Sequence, residues 1–64
     1  MRVGKLITLP SAYSRFGQIK DTDGVAYTVD PAQIPKGAKE GTEYAYKVEI
    51  WENDSGIAYN LEEN

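Results

Sequence analysis

Between residues 44 and 50 apolar side chains recur at every second position: Tyr44, Tyr46, Val48 and Ile50 alternate with Lys47 and Glu49. Successive side chains of an extended chain point to opposite faces, so this spacing predicts a strand with its tyrosines and aliphatics turned inward. The span 25–29 is β-branched and aromatic, and Asp21-Thr22-Asp23-Gly24 separates it from the span 16–20 with the composition of a tight turn. That arrangement predicts a hairpin. A second turn, Asn53-Asp54-Ser55-Gly56, joins the 44–50 strand to 57–61, and residues 3–9 complete a set of five strands.

Helix has little room in this pattern. Asp30 is placed to cap and Pro31 to occupy a first helical position, but Pro35 stops the segment after about one turn, which predicts a single 3₁₀ turn. Residues 35–41 then read as a long loop. Three strands, a helical turn, a loop and two strands fit a single all-β domain over residues 1–64, folded as a small closed barrel whose closure hides the sheet edges.

The chain has 64 residues, no cysteine and no histidine. A domain of this size buries only about 60% of the surface its unfolded chain exposes, and neither a disulfide nor a Cys/His zinc site is there to staple it. Packing must hold the barrel together. Histidine and cysteine are also the commonest general base and activated nucleophile, so no enzyme activity and no cofactor are expected. The acid pairs Asp21/Asp23 and Glu62/Glu63 fall in a turn and at the C-terminal end. The Asp21–Gly24 run lacks the remaining ligands of a calcium loop, and no metal site is expected.

Seven basic and ten acidic residues give a net charge of -3, which argues against strong non-specific attraction to polyphosphate. The charges are unevenly spread. Arg2, Lys5, Arg15 and Lys20 precede the first acid, whereas from Asp21 onward ten acids face Lys36, Lys39 and Lys47. The basic third is either a stripe that tracks a phosphate backbone or ordinary solvated surface. No apolar run has the length of a signal peptide or a membrane span, so a soluble cytoplasmic protein with no membrane partner is expected.

Five stretches, taken in order, resemble the cold-shock domain across essentially the whole chain. They are Gly4-Lys5-Leu6, the aromatic-glycine pattern Phe16-Gly17-Gln18-Ile19, and Tyr27 to Ile34 with its Asp-Pro turn. Glu40-Gly41 then leads into the alternating Tyr44, Tyr46, Val48 and Glu49, and Gly56-Ile57-Ala58-Tyr59-Asn60-Leu61 closes the chain. The resemblance implies a five-stranded antiparallel barrel of the oligonucleotide-binding (OB) type, with one 3₁₀ turn after strand three. It also implies binding of single-stranded RNA or DNA on aromatics that face outward from strands one to three.

Carried over residue by residue, that platform is thin. Phe16 matches one stacking position. Thr8 and Leu9 stand where the family has a tryptophan and a phenylalanine, Gln18 replaces the second aromatic of strand two, and Thr28 and Asp30 replace an aromatic and a histidine of strand three. Ile7 takes the place of a strand-one lysine. The candidate nucleic-acid contacts are therefore Phe16, Arg15, Lys20, Tyr13, Lys5 and Leu9. Phe16 is a stacking platform or a rim residue, and Arg15 and Lys20 meet phosphates or only solvent. Tyr13, in the loop just before Phe16, either replaces a lost aromatic from a different backbone position or is a loop residue only, and Leu9 touches a base or covers the barrel end. Tyr44 and Tyr46 are expected in the core with hydroxyls reaching the rim. Trp51 follows the inward Ile50 and is expected to point outward, which marks it as a candidate protein contact.

Two functions follow as expectations: a weak, low-specificity binder of single-stranded nucleic acid, or a protein-interaction module on a barrel that has lost its stacking aromatics. In either case the barrel is expected to be a monomer.

Overall fold

The computed structural model describes residues 2–51 and 55–63. Asn53 and Asp54 of the expected second turn lie outside the described residues. The first hairpin is set by its turn: Gly24 has a φ of +92°, its N–H donates to the Asp21 carbonyl at 2.9 Å, and the Asp21 N–H donates to the Val25 carbonyl at 2.8 Å. A left-handed residue at this point is cheap only for glycine. The turn joins β2 (Gly17–Asp21) to β3 (Ala26–Val29), while β1 (Arg2–Thr8) pairs antiparallel with β2 through Leu6↔Ile19 and Lys5↔Lys20. A 3₁₀ turn, Pro31–Gln33, follows β3 as the sequence predicts, and Asp30 caps it by accepting from the Ala32 N–H at 2.9 Å.

The last two strands, β4 (Glu43–Ile50) and β5 (Gly56–Glu63), complete a closed barrel in the order β1-β2-β3-β5-β4. Four of the strand pairs are antiparallel. The seam between β3 and β5 is parallel and short, pairing Thr28 with Ile57 and Val29 with Ala58. Observed strand ends differ from the expected spans by one or two residues, as termini usually do. No helix among the described residues is long and apolar enough to cross a membrane.

The core is built from Leu6, Ile19, Tyr27, Val29, Tyr44, Tyr46, Ala58 and Leu61, with Leu9, Ile34, Ala38 and Val48 packed against it. Ile34 and Ala38 bring the turn and the following loop over one end. Gln33 fixes that cover to β5, its side-chain oxygen accepting from the Asn60 N–H at 3.1 Å. Gly4 makes the β1–β2 contact possible, because a Cβ there would lie 2.6 Å from the Lys20 carbonyl oxygen.

Strict alternation fails at several places, and three of them have a local reason. Leu6 pairs with Ile19 but Thr8 pairs with Gln18, so a bulge falls at Ile7–Thr8: Ile7 keeps the outward phase of Lys5, and Thr8 joins it on the outside. On β5 the register slips between Ala45↔Glu62 and Lys47↔Tyr59, and Asn60 sits at φ +55° in the slip. Asparagine tolerates this left-handed conformation, and the bulge lets Ala58 and Leu61, three residues apart, both enter the core. The third is Ile50, expected inward but 51% exposed. It pairs with Gly56 at the hairpin end of β4, where the strand has run past the barrel interior and there is no opposing core to enter.

Candidate nucleic-acid interface

Along β2 the pleat sorts side chains cleanly. Gly17, Ile19 and Asp21 are buried, whereas Phe16, Gln18 and Lys20 are exposed on the other side. Across the ladder Gln18 lies between Thr8 of β1 and Thr28 of β3, and the Thr8 hydroxyl donates to the Gln18 side-chain oxygen at 3.4 Å. One register step along, Lys20 lies directly opposite Lys5. The outward side of β1–β2–β3 thus carries Phe16, a neutral Thr-Gln-Thr row and a facing pair of lysines. Asp21 is the one carboxylate within these three strands, and it is buried.

Two like charges set opposite each other across antiparallel strands destabilise the pair. Lys5 has an acid, Glu43, as its partner on the β4 side, but Lys20 has only Ala26 across β3. Ile7, in the same outward phase as Lys5, borders the shallow depression between the two lysines. Glu43 and Thr22 complete its rim, so an anion entering there meets the two ammonium groups with one carboxylate on the Lys5 side.

Phe16 is 43% exposed, with Arg15 exposed beside it. Tyr13 stands fully clear of the barrel on a loop braced by serines. The Ser11 hydroxyl accepts from the backbone N–H groups of Tyr13 and Ser14 at 3.2 and 3.3 Å, and the Ser14 hydroxyl donates to the Phe16 carbonyl at 3.2 Å. These side-chain bonds to backbone shape a turn that would otherwise have few contacts. Of the two roles open to Leu9, the packing is the barrel cover, since it lies against the core cluster. Trp51 is 50% exposed at the far end of β4, on a different part of the barrel from Phe16.

A polar cluster beneath this face escapes a reading based on turn composition. Asp21 follows Gly17 and Ile19 in the inward phase of β2, and its carboxylate accepts from the buried Tyr46 hydroxyl. It also accepts from the Thr22 hydroxyl at 3.2 Å and the Asp23 N–H at 3.3 Å. Arg2 stands 3.7 Å from the same carboxylate, with its guanidinium 5.4 Å above the Tyr27 ring, and Tyr27 packs against Tyr46 at 6.2 Å between ring centres. The Tyr46 hydrogen bond is the main cause holding the Asp21 carboxyl below its ordinary value. Burial, with the neighbouring carboxylate second, pushes the Tyr46 phenol well above its ordinary value. Arg2 is engaged in this cluster and leaves the basic stripe that the sequence outlines. The signal was there in the alternation, which places residue 21 on the same side as Ile19.

No family model, curated protein or solved structure matches the chain.

Proposed function

We propose that the chain binds single-stranded RNA or DNA weakly and with little sequence preference across the outward side of β1–β2–β3, as a divergent relative of the cold-shock domain. What supports this reading is the facing pair Lys5 and Lys20, in line with exposed Phe16 on three strands whose single carboxylate, Asp21, is buried, in a chain of net charge -3. A phosphate between the lysines relieves their repulsion, and a base on the Phe16 ring supplies the stacking that single-strand binders use. Arg15 and Tyr13 extend the surface past Phe16. Thr8, Gln18 and Thr28 offer hydrogen bonds but no flat ring. That leaves one strong stacking position within the strands and accounts for weak binding.

Titration with a short oligo-pyrimidine strand, followed by residue-resolved NMR, is the test. Amide shifts should concentrate at Lys5, Thr8, Phe16, Gln18, Lys20 and Thr28. The logarithm of affinity should fall with log salt at a slope of about -2, since each neutralised phosphate of a single strand contributes roughly -0.7. No shift even at low salt, or shifts confined to β4 and β5, would remove the reading.

A second reading, a protein-interaction module, is supported by Ile50 and Trp51, consecutive large apolar residues that are each about half exposed. The two readings use different parts of the barrel and can both hold.

A further inference from the structure

The outward side of β4 and β5 differs in kind from that of β1–β3. Register pairs Lys47 with Tyr59 and Glu49 with Ile57, and the same phase of the pleat carries on to Trp51, whose N–H donates to the Ser55 carbonyl at 2.7 Å. Tyr59 is 37% and Trp51 50% exposed, with Ile57 half-buried between their rows. Asp30 and Glu49 flank a groove floored by Ile57, Ala58 and Tyr59. Further along the two strands Glu43, Glu62 and Glu63 are exposed, so that Lys47 is the single base among the charged residues of β4 and β5.

We infer that this groove docks an extended, arginine-bearing segment of a protein partner. Carboxylates repel a phosphate backbone, which excludes this face from the proposed nucleic-acid path. An aromatic surface rimmed by acids favours a ligand that is apolar and cationic together. Arginine meets both demands, because its flat guanidinium stacks on tryptophan or tyrosine rings while its N–H fork reaches a carboxylate. Charge complementarity thus selects the occupant: its side chains lie along Ile57 and Tyr59, and its cationic heads reach Glu49 and Asp30. The inference rests on the protein-interaction reading for placing a partner at Trp51, and adds the chemistry of that partner.

Trp51 is the single tryptophan of the chain and lies two residues beyond Glu49 in the same phase of the pleat, so its emission reports a segment that runs out of the groove past Glu49. A short alternating Arg-Leu peptide should shift its emission to the blue, with an affinity that falls as salt rises. Glu49→Gln should weaken binding by about two- to fivefold, the range of one exposed ion pair. Asp30→Asn should act similarly while keeping a capping side chain on the 3₁₀ turn. Tyr59→Ala should weaken it by roughly tenfold or more if the ring is an anchor, with a thermal melt confirming that the barrel stays folded. If a Gln-Leu peptide binds as well as the Arg-Leu peptide and Glu49→Gln changes nothing, the cationic partner is wrong although a protein site remains. If neither peptide moves the Trp51 emission or the amide shifts of Glu49, Ile57 and Tyr59, the protein-interaction reading falls with it. A blue shift that grows with protein concentration alone would make a second copy the occupant and overturn the inference, as would an equal shift from an oligo-pyrimidine strand.

Discussion

The Asp21 cluster and the Tyr13–Phe16 loop are both polar-aromatic assemblies, yet they are held in opposite ways. Asp21 is buried and takes hydrogen bonds from Tyr46, Thr22 and the Asp23 backbone, with Arg2 closing the open side. The loop is exposed throughout, and its aromatics are presented by serine-to-backbone bonds and one backbone bond from the Ser11 N–H to the Ser14 carbonyl. The cluster ties β1, β2 and β4 together under the proposed binding face. The loop ties nothing together and is free to serve a ligand. In a barrel of this size the side chains that stabilise and those that bind should therefore separate in mutational tests.

The largest effect should come from Asp21→Ala, which leaves the Tyr46 hydroxyl buried without its acceptor and removes the carboxylate bonds of the turn. The expected loss is about 3 kcal/mol, a large share of the stability of a small domain. It should appear in a thermal melt as a fall of roughly 15 °C. An unchanged melting temperature would break the comparison at its stronger end.

The pH dependence sharpens the same half. Asp21 titrates below its ordinary 3.8 in the folded chain, so its contribution is fully present above that value and is lost as pH falls through the folded value. Tyr46 titrates above its ordinary 10.0, so its contribution holds below that value and is lost as pH rises through the folded one. Melting temperature should be flat between about pH 5 and 9 and drop on both sides. Tyr46→Phe should abolish the alkaline drop and blunt the acid one.

Phe16→Ala addresses the other half. Single-strand affinity should weaken by about 1–3 kcal/mol, the worth of one base on one ring, while the melt stays close to the parent. A variant that loses stability and affinity together would show that Phe16 belongs to the barrel, not to the site. The smallest effect should be that of Ser11→Ala. It should leave the melting temperature unchanged and reduce affinity less than twofold by loosening the presentation of Tyr13, which the same NMR titration can detect.

The five strands and the 3₁₀ turn were legible because alternation and turn chemistry are local signals. Gly24 between Asp23 and Val25 specified the hairpin, and Asp30-Pro31 with Pro35 specified a helix one turn long. Asn60 and Ile7 were not legible as bulges, since a bulge depends on the neighbouring strand and a single chain trace holds no register. Ile50 misled for a related reason: period two describes which way a side chain faces, not whether the barrel still extends beneath it. Asp21 was assigned to its turn by composition, although its phase along β2 placed it inward. The exposure of Phe16, Tyr13 and Trp51 followed from position in the strand or loop, whereas the Lys5–Lys20 pairing required the register of β1 on β2.

The seam between β3 and β5 bears on how the chain reaches this structure at all. Every other strand pair except β1–β4 joins neighbours along the order of the barrel that a hairpin or short connection brings together, but Thr28 must find Ile57 across the 3₁₀ turn, the 35–41 loop and the whole of β4. Closing so long a segment costs chain entropy before any contact repays it, and here the repayment is two paired positions. The rate-limiting event in folding should then be the docking of the β4–β5 hairpin, on β1 and on β3, after the β1–β2–β3 meander has formed. With two paired positions, the β3–β5 seam should be the first to part when the native barrel opens, and its amides the first to exchange.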